Sequence, residues 1–170
     1  QMYGYTPHTV PSTDGYQMKV FVKNEAMCIN TTFLEYFPGG NVIGNPLFAL
    51  DAEHAIPYPM ENACHIIPFV RSLFDTPDSF LNGTTPNMQA TIDDALAAYK
   101  WVVDTHISCT ICDTKFIVGG QSAGSMVTTL VAKAAYDDNS VRKADLALLY
   151  SPQIACNAKN TPSMLRTATV

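Results

Sequence analysis

The residues with the most chemical promise are Gly120-Gln121-Ser122-Ala123-Gly124. A serine hydroxyl attacks a carbonyl only if it stands clear of its neighbours, next to a base. A strand-to-helix turn tight enough to expose it forces the serine into an awkward backbone angle. Gly120 and Gly124, two residues before and after Ser122, make such a turn sterically feasible, because a side chain at either position would collide with the adjoining element. A helix starting at the serine adds unpaired N-H groups, and its dipole points at the place where negative charge develops during attack. The Ala123 N-H is the natural first oxyanion donor. A second set of donors requires a glycine-rich loop after an earlier strand, and Gly39-Gly40 meets that requirement.

The elements that must position these groups are legible from periodicity. Met18 to Val22 alternates like a strand, and Thr31 to Phe37 is a β-branched and aromatic run leading into Pro38-Gly39-Gly40-Asn41. Cys64 to Val70 reads as a third strand, with Pro68 arguing against a central position. A helix is expected from about Thr85, with Pro86 at its first position. Ile92, Leu96, Tyr99 and Val103 would face the sheet, leaving Asp93, Asp94 and Lys100 to solvent. Lys115 to Val118 is a strand ending in Gly119-Gly120. The following helix has Met126, Val127, Leu130, Val131 and Ala134 on one side and stops near Asp137-Asp138-Asn139, before a last strand over Ala144 to Tyr150. Strands and helices alternating at these intervals predict an α/β fold, with a mostly parallel, doubly wound sheet and helices on both faces. Residues 1–15 read as an aperiodic N-terminal arm, and residues 16–170 as one core.

The two glycine motifs resemble those of the hormone-sensitive-lipase group of α/β-hydrolases, which includes many carboxylesterases. Tyr36-Phe37-Pro38-Gly39-Gly40-Asn41-Val42-Ile43-Gly44 stands where that group has His-Gly-Gly-Gly-Phe-Val-Ile-Gly. Gly119-Gly120-Gln121-Ser122-Ala123-Gly124-Ser125 is similar to its Gly-Asp-Ser-Ala-Gly-Gly elbow. Asp93 to Leu96, Trp101-Val102 and Leu148 to Pro152 extend the likeness, which covers about residues 16–156. Phe37 and Pro38 replace a histidine and a glycine, and Gln121 replaces an acidic residue. The Tyr-Arg-Leu-Ala-Pro-Glu segment is barely matched by Val70 to Asp75. The resemblance implies an ester hydrolase with Ser122 as nucleophile, Gly39, Gly40 and Ala123 as oxyanion donors, a small-molecule ester substrate and no cofactor or metal.

In this fold the acid and then the histidine follow the serine, yet His8, His54, His65 and His106 all precede Ser122. Each reads as a surface or internally bonded histidine. Asp137 and Asp138 close a helix and Asp145 opens a strand, so none is assigned as the acid. The core is therefore expected to be incomplete in this chain, with the acid, the histidine and further strands coming from a second polypeptide or the remainder of a longer protein. The bare edge of the last strand requires a partner. The competing expectation is a catalytically inactive hydrolase-fold protein used for binding.

Bulk properties narrow the partners. A net charge of -5 without clustered Lys or Arg excludes a nucleic-acid backbone as the main ligand. No apolar run approaches the roughly 20 residues of a membrane span. Gln1-Met2-Tyr3 does not read as the start of a secretory signal, so the chain is expected to be soluble as it stands. Five cysteines leave at least one thiol unpaired or joined to another chain. Cys109-Thr110-Ile111-Cys112 could be redox active or bind zinc, but no second pair or downstream histidine completes a site. Asn30-Thr31-Thr32 and Asn82-Gly83-Thr84 match the N-glycosylation pattern and lean toward secretion.

Overall fold

The computed structural model describes residues 4–36, 62–71, 88–107 and 113–150. The described strands are β1 (Thr6–Pro11), β2 (Gln17–Lys23), β3 (Thr31–Tyr36), β4 (Cys64–Pro68), β5 (Lys115–Gln121) and β6 (Leu146–Tyr150). The described helices are α1 (Met88–His106) and α2 (Ala123–Asp137). The strands form one sheet in the order β1-β2-β4-β3-β5-β6. β1, β2 and β4 pair antiparallel, whereas β4, β3, β5 and β6 pair in parallel. Each parallel step from β3 onward crosses over through intervening chain, which is the α/β arrangement anticipated from the alternation of patterns.

Leu34 and Tyr36 of β3 join Val20, Ile66, Phe116 and Val118 in the main core. Ala95, Ala98, Tyr99 and Val102 of α1 and Val127, Val131 and Ala135 of α2 close over them. Alternation sends Phe33 and Glu35 to the opposite face. There Phe33 stacks on His65, and the His65 ring nitrogens lie 2.7 Å from Tyr5 Oη and 2.8 Å from Glu35 Oε2. This buried polar chain ties β4 to β3 and to the residue preceding β1.

Several expectations are corrected by these contacts. The arm over residues 1–15 contains β1, whose outward side chains hide its pairing from a search for apolar periodicity. β4 is central, lying between β2 and β3. Its pairing with β3 ends at Ile66, so the N-H that Pro68 lacks is not needed on that side. The buried stripe of α1 is rotated to Thr91, Asp94, Ala95, Ala98, Tyr99 and Val102, with Ile92, Leu96 and Val103 only half-buried. Asp94, expected in solvent, is fully buried. The cause is Arg71, whose backbone N-H and Nε donate to Asp94 Oδ2 at 2.9 Å each, while Nη2 donates to Oδ1 at 2.7 Å. On α2, Leu130 is exposed. The small side Ala123, Gly124, Ser125, Val127, Thr128, Val131 and Ala135 docks instead.

Cys28 and Cys64 form a disulfide between the turn before β3 and the start of β4. Cys109, Cys112 and Cys156 lie outside the described residues, as do His54, Asn82, the expected start of α1 near Thr85, and Gly39-Gly40. No described helix is long and apolar enough to cross a membrane.

Arg71 also donates to Asp14 at 2.7 Å, but that carboxylate is half exposed. Removing Asp94 leaves a largely buried guanidinium with only the half-exposed Asp14, so Asp94→Ala should lower the unfolding free energy by about 3 kcal/mol. Asp14→Ala should cost much less, because its carboxylate is open to solvent. Urea unfolding of both variants checks this, and equal losses would show that burial does not set the difference.

Candidate active site

β5 ends at Gln121 and α2 begins at Ala123, so Ser122 alone makes the turn. Its φ is 54° and its ψ -115°, a conformation that non-glycine residues rarely adopt. Holding it there costs on the order of 1–3 kcal/mol, which the surroundings must supply. The other described non-glycine residue with positive φ is Asn24, in an ordinary left-handed turn.

Gly120 shows why the sequence can make this turn. A Cβ there would lie 2.4 Å from the carbonyl carbon and oxygen of Gly124 and 2.7 Å from the Tyr36 carbonyl oxygen. All three are backbone atoms with no freedom to step aside. The first turn of α2 therefore passes directly over the end of β5, and any side chain at position 120 would lift it away. Gly119 performs a related service on the other face, where a Cβ would meet the Phe33 ring at 2.7 Å.

Hydrogen bonds hold the turn from below. The Ser122 N-H donates to the Tyr150 carbonyl at 2.9 Å. The buried Ser125 hydroxyl lies 2.7 Å from the Gly120 carbonyl oxygen and 2.8 Å from that of Tyr150, sharing its proton between them. The end of β6, the end of β5 and the first turn of α2 are thus joined around one small side chain. Tyr36, opposite Gly120 in the β3–β5 register, is anchored by its hydroxyl donating to the Ala95 carbonyl at 2.9 Å. Complete burial raises its pKa well above the ordinary phenol value.

Ser122 itself is partly exposed. Ala123 occupies the first position of α2, where an N-H has no intrahelical acceptor. The structure thus brings Ser122, Ala123, Gly120 and Gly124 together. Of the other residues singled out in the sequence, Asn30 is exposed at the opposite end of β3, and Gly39, Gly40 and Asn82 fall outside the described residues.

The carboxylates after Ser122 are remote from it. Asp145 Oδ2 accepts the Phe116 N-H at 2.7 Å, at the far end of β5. Five residue steps along the strand separate that point from Gln121, about 17 Å. Asp137 and Asp138 lie at the far end of α2, about 22 Å along its axis. Asp138 is held by the Ser140 backbone N-H and hydroxyl, which depress its pKa. His65 is enclosed by Tyr5 and Glu35. His8 lies 3.7 Å from Glu25, and half-buried His106 packs edge-on to Trp101. Burial lowers the His106 pKa. Among the described residues, no group of three or more His, Cys, Asp and Glu is placed to hold a metal ion.

Ser125 and the Arg71–Asp94 pair were not foreseen. Nothing in the sequence around Ser125 distinguishes it from an ordinary helix-surface serine. Arg71, by contrast, is the lone cation between Lys23 and Lys100 in the sequence, a signal that could have found the pair.

The sequence profile of the α/β-hydrolase fold matches residues 85–169, half of the chain. The chain belongs to the α/β-hydrolase fold family. No curated protein sequence matches it. Among solved structures, the hyperthermophilic esterase from the archaeon Pyrobaculum calidifontis is similar with a TM-score of 0.67 and 19% identity, over 98% of this chain and 50% of that one. A fungal esterase from Rhizomucor miehei gives 0.63 and 16% identity, over 95% and 48%. Brefeldin A esterase, a bacterial homologue of human hormone-sensitive lipase, gives 0.65 and 15% identity, over 96% and 44%. At these identities the likeness establishes the fold. This α/β-hydrolase chain spans about half the length of the structures it matches.

Loss of the Ser125 hydroxyl removes a buried donor shared by the Gly120 and Tyr150 carbonyls, of which Tyr150 keeps the Ser122 N-H. Ser125→Ala is therefore expected to cost about 1–3 kcal/mol. Gly120→Ala should be far more damaging, because its clash is with backbone. Thermal melts of the two variants test the ranking; a Gly120→Ala protein as stable as wild type would show that α2 does not press on β5.

Proposed function

We propose that this chain is the nucleophile-bearing part of a serine carboxylic-ester hydrolase. The observation that carries the reading is Ser122 at φ 54°, alone between β5 and α2, with Gly120 packed on Gly124 beneath it. Strain of this kind at a polar residue marks a site maintained for chemistry.

In the proposed reaction, Ser122 Oγ attacks the carbonyl carbon of a small-molecule ester while a base takes its proton. Charge on the carbonyl oxygen is held by the Ala123 N-H and by the N-H groups of Gly39 and Gly40. Covalent geometry keeps Gly39 within about 11 Å of Tyr36, which lies opposite Gly120. The alcohol leaves with a proton, and water then releases the acid from the acyl-serine. No cofactor is required.

The base and its orienting acid come, in this reading, from polypeptide beyond residues 1–170, either a second chain or the rest of a longer protein. Two observations support this. The chain spans half of its structural relatives, and β6 closes the described sheet with Leu146 half exposed. Among the described residues β6 pairs with β5, and a strand at the edge of a sheet is a template for further pairing. Alone, the 18.5 kDa chain should hydrolyse esters slower by several powers of ten than its completed form, since the oxyanion donors without a base retain only a residue of the catalysis.

Labelling by a fluorophosphonate probe tests the reading. The completed protein should label at Ser122, and Ser122→Ala should abolish both labelling and ester hydrolysis. A completed protein that neither labels nor hydrolyses esters would contradict the reading and favour an inactive hydrolase fold used for binding.

A further inference from the structure

We propose that Asn30 carries an N-linked glycan, and that this glycan is attached before Cys28 and Cys64 join and before β3 enters the sheet. The proposal is independent of the ester-hydrolase reading.

Three observations converge on one end of β3. Asn30 of Asn30-Thr31-Thr32 is exposed, while its backbone is fixed: its N-H donates to the Met27 carbonyl at 2.9 Å and its carbonyl accepts the Lys115 N-H at 2.9 Å. The side chain is directed outward, with Nδ2 making a long 4.0 Å contact to Met27 Sδ. A glycan there leaves the strand pairing untouched. The second observation is the Cys28–Cys64 disulfide, two residues before Asn30. Structural disulfides persist in the oxidising compartments where N-glycosylation also takes place. The third is that the two apolar side chains nearest the sequon, Met27 and Ile29, are 37% and 55% exposed. A bulky hydrophilic group on Asn30 would cover both.

The order of events follows from Thr32. Glycosyl transfer requires access to the hydroxyl two residues after the asparagine. In the folded chain Thr32 is fully buried, and its Oγ1 donates to the Cys28 carbonyl at 2.9 Å. Once β3 is paired and Cys28 is bridged to Cys64, that hydroxyl is unreachable. The sugar must therefore arrive first. Its donor is a polyprenyl-diphosphate-linked oligosaccharide. The bond from the anomeric carbon to the diphosphate oxygen breaks, a bond from that carbon to Asn30 Nδ2 forms, Nδ2 loses one proton, and the diphosphate leaves. The disulfide forms separately by exchange with an oxidised dithiol catalyst, which takes up the two electrons and two protons.

Peptide mapping of the protein isolated from its own cells tests the assignment. The peptide containing Asn30 should carry a glycan, be converted to the aspartate form by a glycan-releasing amidase, and be linked through Cys28 to the Cys64 peptide before reduction. Unmodified Asn30, or Cys28 and Cys64 both alkylated without reduction, would overturn it. Asn30→Gln should lose one glycan and aggregate more readily while keeping the unmodified protein's fluorophosphonate labelling, whatever that is; unchanged glycan mass would assign the sugar elsewhere and refute the site. The order is tested by Cys64→Ser in a eukaryotic secretory host, with occupancy read on denatured chain so that misfolding does not obscure it. Occupancy at Asn30 equal to or above wild type is expected. A fall would contradict glycan addition ahead of bridging.

Discussion

The approach of α2 to the end of β5, backbone on backbone at Gly120 and Gly124, is the constraint from which the rest of the site follows. It leaves no residue to spare between strand and helix, so Ser122 must turn the chain alone. A side chain at position 120 would open the crossover and let the serine relax into an ordinary conformation. The turn is unfavourable locally and survives only because neighbouring groups over-determine it. Ser125 and the Tyr150 carbonyl clamp it from the side of β6, and Tyr36 fixes the adjoining end of β3 against α1.

The remaining packing serves to keep those three strand ends level. Phe116, Val118, Leu34 and Ile66 share one core with both described helices, so β3, β4 and β5 cannot slide independently. On the opposite face, the Tyr5–His65–Glu35 chain fixes β4 against β3, and the Arg71–Asp94 pair fixes the end of the β4 segment against α1. Buried polar contacts of this kind favour one register over its neighbours, because any slip strands a charge or a donor in the interior.

The pattern of strands and helices was legible where apolar residues recur at period two or three to four, as in β2, β3, β5 and α2. The nucleophile turn was legible because glycine spacing reports a steric demand directly. What escaped were features depending on residues distant in sequence. Asp94 looks like a solvent-facing helix residue until Arg71 is placed beside it, and that single pair rotates the buried stripe of α1. β1 escaped because its side chains alternate between half-buried and exposed rather than apolar and polar. The pairing of Cys28 with Cys64 could not be chosen from five cysteines by spacing. The roles of Gly39 and Gly40 rest on sequence and connectivity to Tyr36.

Among the described residues the sheet that supports the turn ends at β6, and the chain spans half the length of its structural relatives; both facts direct attention to what pairs with that edge. The central claim nevertheless concerns position 122 itself. A crystal structure of the completed protein after reaction with a fluorophosphonate tests it most directly. The account predicts Ser122 at positive φ, its Oγ bonded to phosphorus, and the phosphoryl oxygen within hydrogen-bonding distance of the Ala123 N-H. Ser122 unmodified in helical or extended conformation, with its hydroxyl enclosed by packed side chains, would contradict it.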